Sequence, residues 1–197
     1  MIRCSGAIFH AQAVTFLSFL RFMIESAAEG EEEDTDEMLI RELYERYSRE
    51  IFLYLYAMCS SRETAEDLTQ ECFVRALLSL PKKRENLRAW LYRVARNLLI
   101  DELRRRRAEN TISEAETLPL PDGDPQTAYL QDETRRELLR YMAELSPKKR
   151  EVLVLQYYSG IPQREIAALL GVSYENVRVL AMRARKELKE KLKEKEP

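Results

Sequence analysis

The sequence is poor in the residues on which catalytic and metal sites most often depend. Its 197 residues include a single histidine, His10, and three cysteines, Cys4, Cys59 and Cys72. Common zinc motifs need more histidines or closely spaced cysteines, and a disulfide framework needs more cysteines. We therefore predict no metal, no cofactor and no small-molecule substrate, and thiols that are buried or incidental in a reducing compartment.

Glycine and proline are also scarce, with 5 and 7 residues, whereas Leu, Glu, Arg and Ala are abundant. This composition favours helix over sheet. No segment alternates between apolar and polar residues regularly enough to predict a strand. A chain of this length allows one or two domains. We therefore expect an all-α protein.

The apolar run at residues 7–24 makes a poor membrane span, because Arg21 lies inside it and no good cleavage site follows. Seven of the nine residues at 29–37 are acidic, which is typical of a solvated leader. We predict that residues 1–36 are a leader that is either disordered or the product of a start site assigned too early, with Met23 as a candidate start. We expect a cytoplasmic protein; a membrane anchor at residues 7–24 stays open as the alternative.

The charges are unevenly distributed although the net charge is only −2. Residues 82–107 carry 10 basic and 3 acidic side chains, and residues 146–197 carry 12 and 7. Between these blocks, residues 108–145 carry 3 basic and 9 acidic side chains. Two basic blocks separated by acidic material indicate two polyanion-binding surfaces.

The apolar spacing predicts three helices before an acidic linker and four helices after it. The predicted caps are Ser60, Asn86, Asp124, Ser146 and Ser173. On the first helix the core residues are expected to be Met38, Leu39, Leu43, Tyr47, Ile51, Leu55 and Met58. The helices are expected at residues 37–59, 60–80, 86–106, 125–145, 147–159, 162–170 and 174 onwards.

This pattern divides the chain into two small helical domains. The stretch 108–125 has five acidic residues, three prolines and one glycine, and no lysine or arginine. Such a composition is typical of a flexible linker. The predicted units are a leader (1–36), a first domain (37–107), an acidic linker (108–124) and a second, four-helix domain (125–197).

Residues 163–180, QREIAALLGVSYENVRVL, have the pattern of a helix-turn-helix. Ala167 is small where the two helices must cross closely, and Gly171 tolerates the positive φ of the turn. Ser173 can cap the second helix and direct its first turns toward a major groove. The apolar residues expected to lock the two helices together are Ile166, Leu170, Val172, Val177 and Leu180. The alternative is a plain helical hairpin that does not bind DNA.

The second helix of this motif carries residue types that bind DNA. Arginine can bind guanine and asparagine can bind adenine in a bidentate manner, whereas Arg185 is expected at a phosphate or in water. The predicted DNA-binding residues of the second domain are Tyr174, Glu175, Asn176, Arg178, Val179, Met182, Arg183 and Arg185.

Two segments of the first domain carry a family resemblance. Residues 65–76, AEDLTQECFVRA, resemble the polymerase-binding helix of extracytoplasmic-function (ECF) sigma factors. Residues 87–105 resemble the promoter-melting helix of that family, and residues 145–185 resemble its second domain. The resemblance covers about residues 38–192, with the motifs in the family's order. The chain is therefore identified as a member of the ECF sigma family.

The resemblance implies partners for two faces of the first domain. It implies that RNA polymerase core binds an acidic face formed by Glu66, Asp67, Gln70 and Glu71. It also implies that the opened minus-10 strand binds a face of the third helix, because arginines hold phosphates while aromatic rings receive unstacked bases. The predicted minus-10 residues are Tyr92, Arg93, Arg96, Asn97, Ile100 and Arg104. Trp90 is left open between the core and the strand.

Two segments depart from the family's pattern. The loop before the third helix reads PKKREN at residues 81–86, without the glycine that the family often has there. In the second helix of the helix-turn-helix, the recognition helix, residues 179–182 read VLAM in place of a more polar sequence. The base preferences of the family at minus-10 and minus-35 therefore cannot be carried over to this chain.

The predicted function is promoter-specific initiation, in which the first domain captures the minus-10 strand and the second domain recognises the minus-35 duplex. The resemblance also implies an anti-sigma partner. A stand-alone helix-turn-helix regulator is the nearest alternative, and it would form a dimer on a palindromic site. An enzyme is the alternative from another class; the sequence shows no cluster of catalytic groups that would indicate one.

Overall fold

The computed structural model describes residues 31–81, 84–110 and 140–193, and the regular structure in these ranges is helical throughout. This confirms the all-α prediction. The helices are α1 (Glu31–Cys59), α2 (Arg62–Leu78), α3 (Leu87–Asn110), α4 (Pro147–Leu153), a π-helical stretch (Val154–Tyr158), α5 (Gln163–Leu170) and α6 (Tyr174–Lys193). Residues 140–144 are also helical. Helices α1–α3 form the first domain, and residues 140–193 form the second.

The core of the first domain is built from the apolar faces of α1, α2 and α3. Ile51, Phe73 and Leu91, one from each helix, are fully buried. The Phe73 ring packs edge to face on Tyr44, with ring centroids 4.9 Å apart. Met38, which was predicted in this core, is 68% exposed. Ile40 is buried instead, and two residues of helix rotate a side chain by about 200°, so Met38 faces solvent.

Two helices are longer than the sequence predicted. Helix α1 begins at Glu31, six residues before the predicted start, so residues 31–36 are helical and are not part of a disordered leader. Acidic residues stabilise the N-terminal end of a helix through its dipole, which favours this extension. Helix α3 continues to Asn110, so residues 108–110 belong to it and not to the linker. Residues 1–30 and the rest of the linker lie outside the described residues.

The cap of α2 is Ser61, one residue after the predicted cap. The Ser61 hydroxyl accepts a hydrogen bond from the Thr64 amide at 3.3 Å. Ser60 has φ +56° and donates its amide to the Tyr56 carbonyl, so it terminates α1. Ser61 has the extended backbone that is typical of an N-cap residue, with φ −119°, and therefore the cap of α2 is Ser61 and not Ser60.

The helix-turn-helix forms as predicted. Gly171 takes φ +65° at the C-terminal end of α5. The Ser173 hydroxyl accepts a hydrogen bond from the Asn176 amide at 3.1 Å, which caps α6. Ile166 and Val177 are fully buried between the two helices. Leu170, Val172 and Leu180 are partly buried and pack against the same core.

The segment predicted as one helix at 147–159 changes type halfway. Residues Val154–Tyr158 are π-helical, and the Ser159 amide donates to the Val154 carbonyl at 3.0 Å. The wider π turn carries an extra residue and so shifts the phase of the side chains. Tyr157 and Tyr158 consequently lie at the surface, 56% and 50% exposed.

The two domains are packed together, which the sequence did not predict. One continuous apolar cluster contains Leu55 and Leu91 of the first domain and Val152 and Ile161 of the second. Over the described parts of the chain, no helix combines the length and the hydropathy that a bilayer crossing needs. The candidate anchor at residues 7–24 lies outside those parts.

Arg150 is a buried structural residue in the second basic block. Only 3% of it is exposed, and its Nε donates to the Met142 carbonyl at 2.9 Å. Its terminal nitrogens donate to the carbonyls of Ala143, Leu145 and Ala57. The guanidinium therefore satisfies carbonyls at the end of helix 140–144, where a cation is also favoured by the helix dipole.

Replacing Arg150 with methionine should lower the free energy of unfolding by about 3 kcal/mol, because buried carbonyls then lose their donor. Chemical denaturation of the full chain measures this. Lys148→Met is the matched control, since Lys148 is exposed on the same helix and should change stability little. Equal midpoints for the two variants would contradict the structural role of Arg150.

Candidate DNA and polymerase interfaces

Helix α6 presents the predicted duplex-binding residues to solvent. Its inward face consists of Val177, Ala181 and Ala184, which are fully buried. The exposed residues include all eight that the sequence predicted, namely Tyr174, Glu175, Asn176, Arg178, Val179, Met182, Arg183 and Arg185. Small buried residues hold α6 close to the domain while its outer face remains available.

Beside this face, arginine guanidinium groups lie over two aromatic rings. The guanidinium carbons of Arg178 and Arg164 lie 5.9 and 6.0 Å from the Tyr174 ring centroid. The Arg185 guanidinium lies 6.0 Å from the ring of Tyr157, in the π-helical stretch. These distances are at the outer limit of a cation–π contact. Arg164 and Tyr157 were not among the predicted DNA-binding residues; the position of Arg164 in the second basic block was the available signal.

A shallow surface notch of about 370 Å³ lies along the same face. Its walls combine two apolar side chains with four polar or charged ones. The lining residues are Gln163, Glu175, Arg178, Val179, Met182 and Arg185. Gln163 is contributed by α5, and its amide donates to the Gln156 side chain at 3.1 Å. The notch is thus formed by both helices of the helix-turn-helix.

The predicted minus-10 face of α3 is only partly available. Arg93, Asn97 and Arg104 are exposed, and Ile100 is half-buried. Tyr92, which was predicted to lie away from the apolar stripe, is fully buried. Its ring packs edge to face on Tyr54, with centroids 5.4 Å apart, and burial raises its pKa. The prediction for Tyr92 was wrong because α1 covers that side of α3.

Arg96 is engaged by the second domain. Its Nε donates to the Glu151 Oε1 at 2.9 Å, and the Tyr54 hydroxyl donates to the same oxygen at 2.8 Å. One carboxylate oxygen of α4 thus joins α1 and α3. The side chains of Arg96 and Glu151 are 24% and 10% exposed, so the ion pair is largely shielded from water. We refer to Tyr54, Arg96 and Glu151 as the interdomain triad.

Further polar contacts lie along the boundary between the two domains, which we call the seam. Arg88 donates to the Glu50 carboxylate at 2.8 Å and also to the Ser159 carbonyl of the second domain. Asn86 donates from Nδ2 to Glu165 at 3.0 Å. Asn86 also caps α3 as predicted, since its Oδ1 accepts from the Ala89 amide at 3.2 Å. The start of α3 is therefore held between the two domains.

The predicted polymerase-binding residues share one face of α2. Asp67, Gln70 and Glu71 are exposed, and Glu66 is half-buried. Glu66 pairs with Arg62 at 2.8 Å and Glu71 pairs with Arg75 at 2.7 Å, each within α2. Glu66 and Glu71 thus already have arginine partners, whereas Asp67 and Gln70 are exposed and take part in neither of these ion pairs. Phe73 and Ala76, on the same helix, are buried in the core.

The arginine run at the end of α3 is partly neutralised within the helix. Arg105 and Arg106 bind the Glu102 carboxylate at 2.9 and 2.7 Å. Burial raises the pKa of Glu102, but the hydrogen bonds from Arg106 and Arg105 outweigh it and lower the pKa. Arg104 is more exposed and lies 3.7 Å from Asp101.

Family models match both domains. The model of Sigma-70 region 2 matches residues 43–109, and that of Sigma-70 region 4 matches residues 135–188. Together with the helix-turn-helix and the exposed face of α6, these matches define a two-domain transcription initiation factor of the sigma-70 class.

Individual relatives narrow this class. The chain is 33% identical over 153 residues to the ECF RNA polymerase sigma factor SigM of Bacillus subtilis, covering 77% of this chain and 94% of that one. It is 35% identical over 158 residues to the RNA polymerase sigma factor YlaC of the same organism, covering 78% and 91%. The chain therefore belongs to the ECF sigma factors of RNA polymerase.

Solved structures share the fold. The sigma factor RpoE of Bartonella quintana, in complex with the anti-sigma factor NepR, matches with a TM-score of 0.70 and 23% identity, over 78% of this chain and 96% of that one. CnrH, in complex with the cytosolic domain of CnrY, matches with a TM-score of 0.58 and 25% identity, over 79% and 88%. As a sigma factor, the chain binds RNA polymerase core and promoter DNA and directs promoter-specific initiation.

Proposed function

We propose that the two domains divide promoter recognition between them. The second domain, residues 125–197, recognises the minus-35 duplex through the exposed face of α6. The first domain, residues 37–107, binds polymerase core through Glu66, Asp67, Gln70 and Glu71 of α2. It also holds the opened minus-10 strand with residues of α3, namely Arg93, Arg96, Asn97, Ile100 and Arg104.

The exposed face of α6 is the observation that carries this proposal. A capped helix with a buried inner side and three exposed arginines fits a major groove, where side chains near the N-terminus of a recognition helix contact bases. Arg178 lies in the second turn of α6 and is the candidate for a guanine contact, whereas Arg185 lies two turns later.

Capture of the minus-10 strand requires the domains to separate. In the packed arrangement of the two domains, which we call the closed arrangement, Arg96 is bound to Glu151 and Tyr92 is fully buried, so neither side chain is available to a DNA strand. A bound strand and the Glu151 carboxylate would compete for the same guanidinium. We therefore assign the closed arrangement to the free factor and an open one to the promoter complex.

Other assignments follow from the same proposal. Catalysis belongs to the polymerase and the chain is not itself an enzyme. Its place of action is the cytoplasm, where polymerase and promoter DNA are found. The matching structure of RpoE was solved with the anti-sigma factor NepR, which supports a partner of that kind for this chain. A stand-alone regulator is less well supported, because the exposed acidic face of α2 would then have no role.

Run-off transcription with purified core polymerase across a promoter library tests the proposal. Arg178→Ala should lose about 1–3 kcal/mol of discrimination at one base pair of the minus-35 element. Arg185→Ala should instead weaken binding to all promoters alike and reduce the salt slope by about one. Transcription that is independent of this factor, or identical element preferences in both variants, would refute the assignment of α6.

A further inference from the structure

The recognition helix exposes apolar side chains in the middle of its DNA-binding face. Val179 is 38% exposed and Met182 is 56% exposed, and both line the surface notch. Single exposed apolar residues are common and need no explanation. Here two of them lie three residues apart on one helix face, between Arg178 and Arg185. The rim of this apolar patch holds two arginines, one carboxylate (Glu175) and one amide (Gln163), so its net charge is positive.

The surroundings of this patch indicate a nucleic-acid partner. Arg178 and Arg185 line the same notch, and the guanidinium of Arg164 lies near Tyr174 at the start of the helix. A protein partner that docked its own apolar residues here would have to desolvate these cations, whereas a DNA backbone would neutralise them. Charge complementarity therefore selects the major groove of duplex DNA as the occupant.

Base chemistry then limits what Val179 and Met182 can recognise. In the major groove, thymine presents a methyl group beside one acceptor, and apolar side chains recognise that methyl. Guanine, adenine and cytosine present hydrogen-bonding groups that valine and methionine cannot satisfy. Three residues of helix advance by about 4.5 Å, which is close to the roughly 3.4 Å spacing of base pairs.

We propose that Val179 and Met182 recognise the 5-methyl groups of thymines at neighbouring base pairs of the minus-35 element. The inference rests on the proposed role of α6 and extends it to the kind of base that is read. Arg178, which borders Val179 in the notch, places a guanine beside these thymines. The element thus combines a hydrogen-bonded guanine with a thymine step read by methyl contacts.

Replacement of thymine by deoxyuridine tests this, because it removes only the methyl group. Full-length factor with core polymerase first selects its preferred element from duplexes randomised across the minus-35 region. Each thymine of the selected duplex is then replaced singly by deoxyuridine, and holoenzyme binding is measured. At one or two positions the wild type should bind the uracil duplex roughly fourfold more weakly, the equivalent of one buried methylene.

Variants connect the methyl effect to the two side chains. Val179→Ala and Met182→Ala should each abolish the difference between thymine and uracil at one position. Met182→Leu, which keeps an apolar tip, should retain it. Leu192→Ala is the control, because Leu192 is 42% exposed on the same helix but outside the notch, and it should leave every difference unchanged.

The possible outcomes distinguish a failure of the methyl inference from a failure of the proposed role of α6. If an element is selected but thymine and uracil bind equally well at every position, the methyl inference is overturned and the role of α6 stands. The same holds if the methyl effect persists undiminished in both alanine variants. If holoenzyme selects no minus-35 sequence at all, the proposed function of α6 itself fails.

Discussion

Replacing Glu151 with alanine should release the second domain from the first in the free factor. The substitution removes the acceptor shared by Tyr54 and Arg96, and these two groups then lose their partner in the seam. Breaking a fully buried ion pair costs about 3–5 kcal/mol, and we expect about 2 kcal/mol here because Arg96 is 24% exposed. Small-angle scattering should show an expanded particle, and amide exchange along α3 should increase.

The control for this experiment is Glu187→Ala. Glu187 binds Lys149 at 2.5 Å, and both residues belong to the second domain, so this change removes an ion pair without touching the seam. The particle should stay compact. If the Glu151→Ala variant were as compact and as protected as the control, the interdomain triad would not be what holds the domains together.

Release of the seam should also strengthen binding of a single-stranded minus-10 oligonucleotide. If the free factor is mostly closed, a shift of about 1.4 kcal/mol in the equilibrium between the closed and open arrangements changes the fraction of open factor tenfold. We therefore expect the affinity for the oligonucleotide to rise by roughly that factor. The gain should disappear in Glu151→Ala with Arg96→Ala, because the liberated guanidinium is then missing. A gain that survives in the double variant would exclude Arg96 as the strand contact.

The double change Asp67→Lys with Gln70→Lys should weaken binding to RNA polymerase core on the order of a hundredfold. Both residues are exposed on the acidic face of α2, and two lysines there would oppose a basic partner surface. Helical content should stay unchanged, because exposed substitutions usually alter stability little. Titration of labelled factor with purified core measures the affinity, and circular dichroism checks the fold.

A charge reversal elsewhere distinguishes a specific contact from a general electrostatic effect. Glu42 and Glu45 are exposed on α1, and Glu42→Lys with Glu45→Lys adds at least as much positive charge to the same domain. This control should bind core with nearly the wild-type affinity. An equal loss in both double variants would mean that net charge, and not the α2 face, governs the association.

Local features of this protein were determined by the sequence alone. The helix-turn-helix is the clearest example, because Gly171 and Ser173 act on the backbone within a few residues of themselves. The exposed face of α6 follows from helical periodicity, since Val177, Ala181 and Ala184 recur on the opposite side. The same reasoning applies to the Asn86 cap and to the acidic face of α2. Each depends on contacts between residues that are near in sequence.

Features of the seam were decided only by the tertiary structure. Tyr54 and Glu151 are 97 residues apart, and Arg96 and Glu151 are 55 apart, so no periodicity in either segment could indicate their meeting. Tyr92 is buried although its spacing predicted an exposed aromatic, and Arg150 is buried although it belongs to a basic block. A side chain's role as partner, core or surface depends on which helix covers it, and that is set by packing between distant segments. Local pattern therefore determined the helices and the exposed face of α6, and packing decided which arginines of those helices remain accessible.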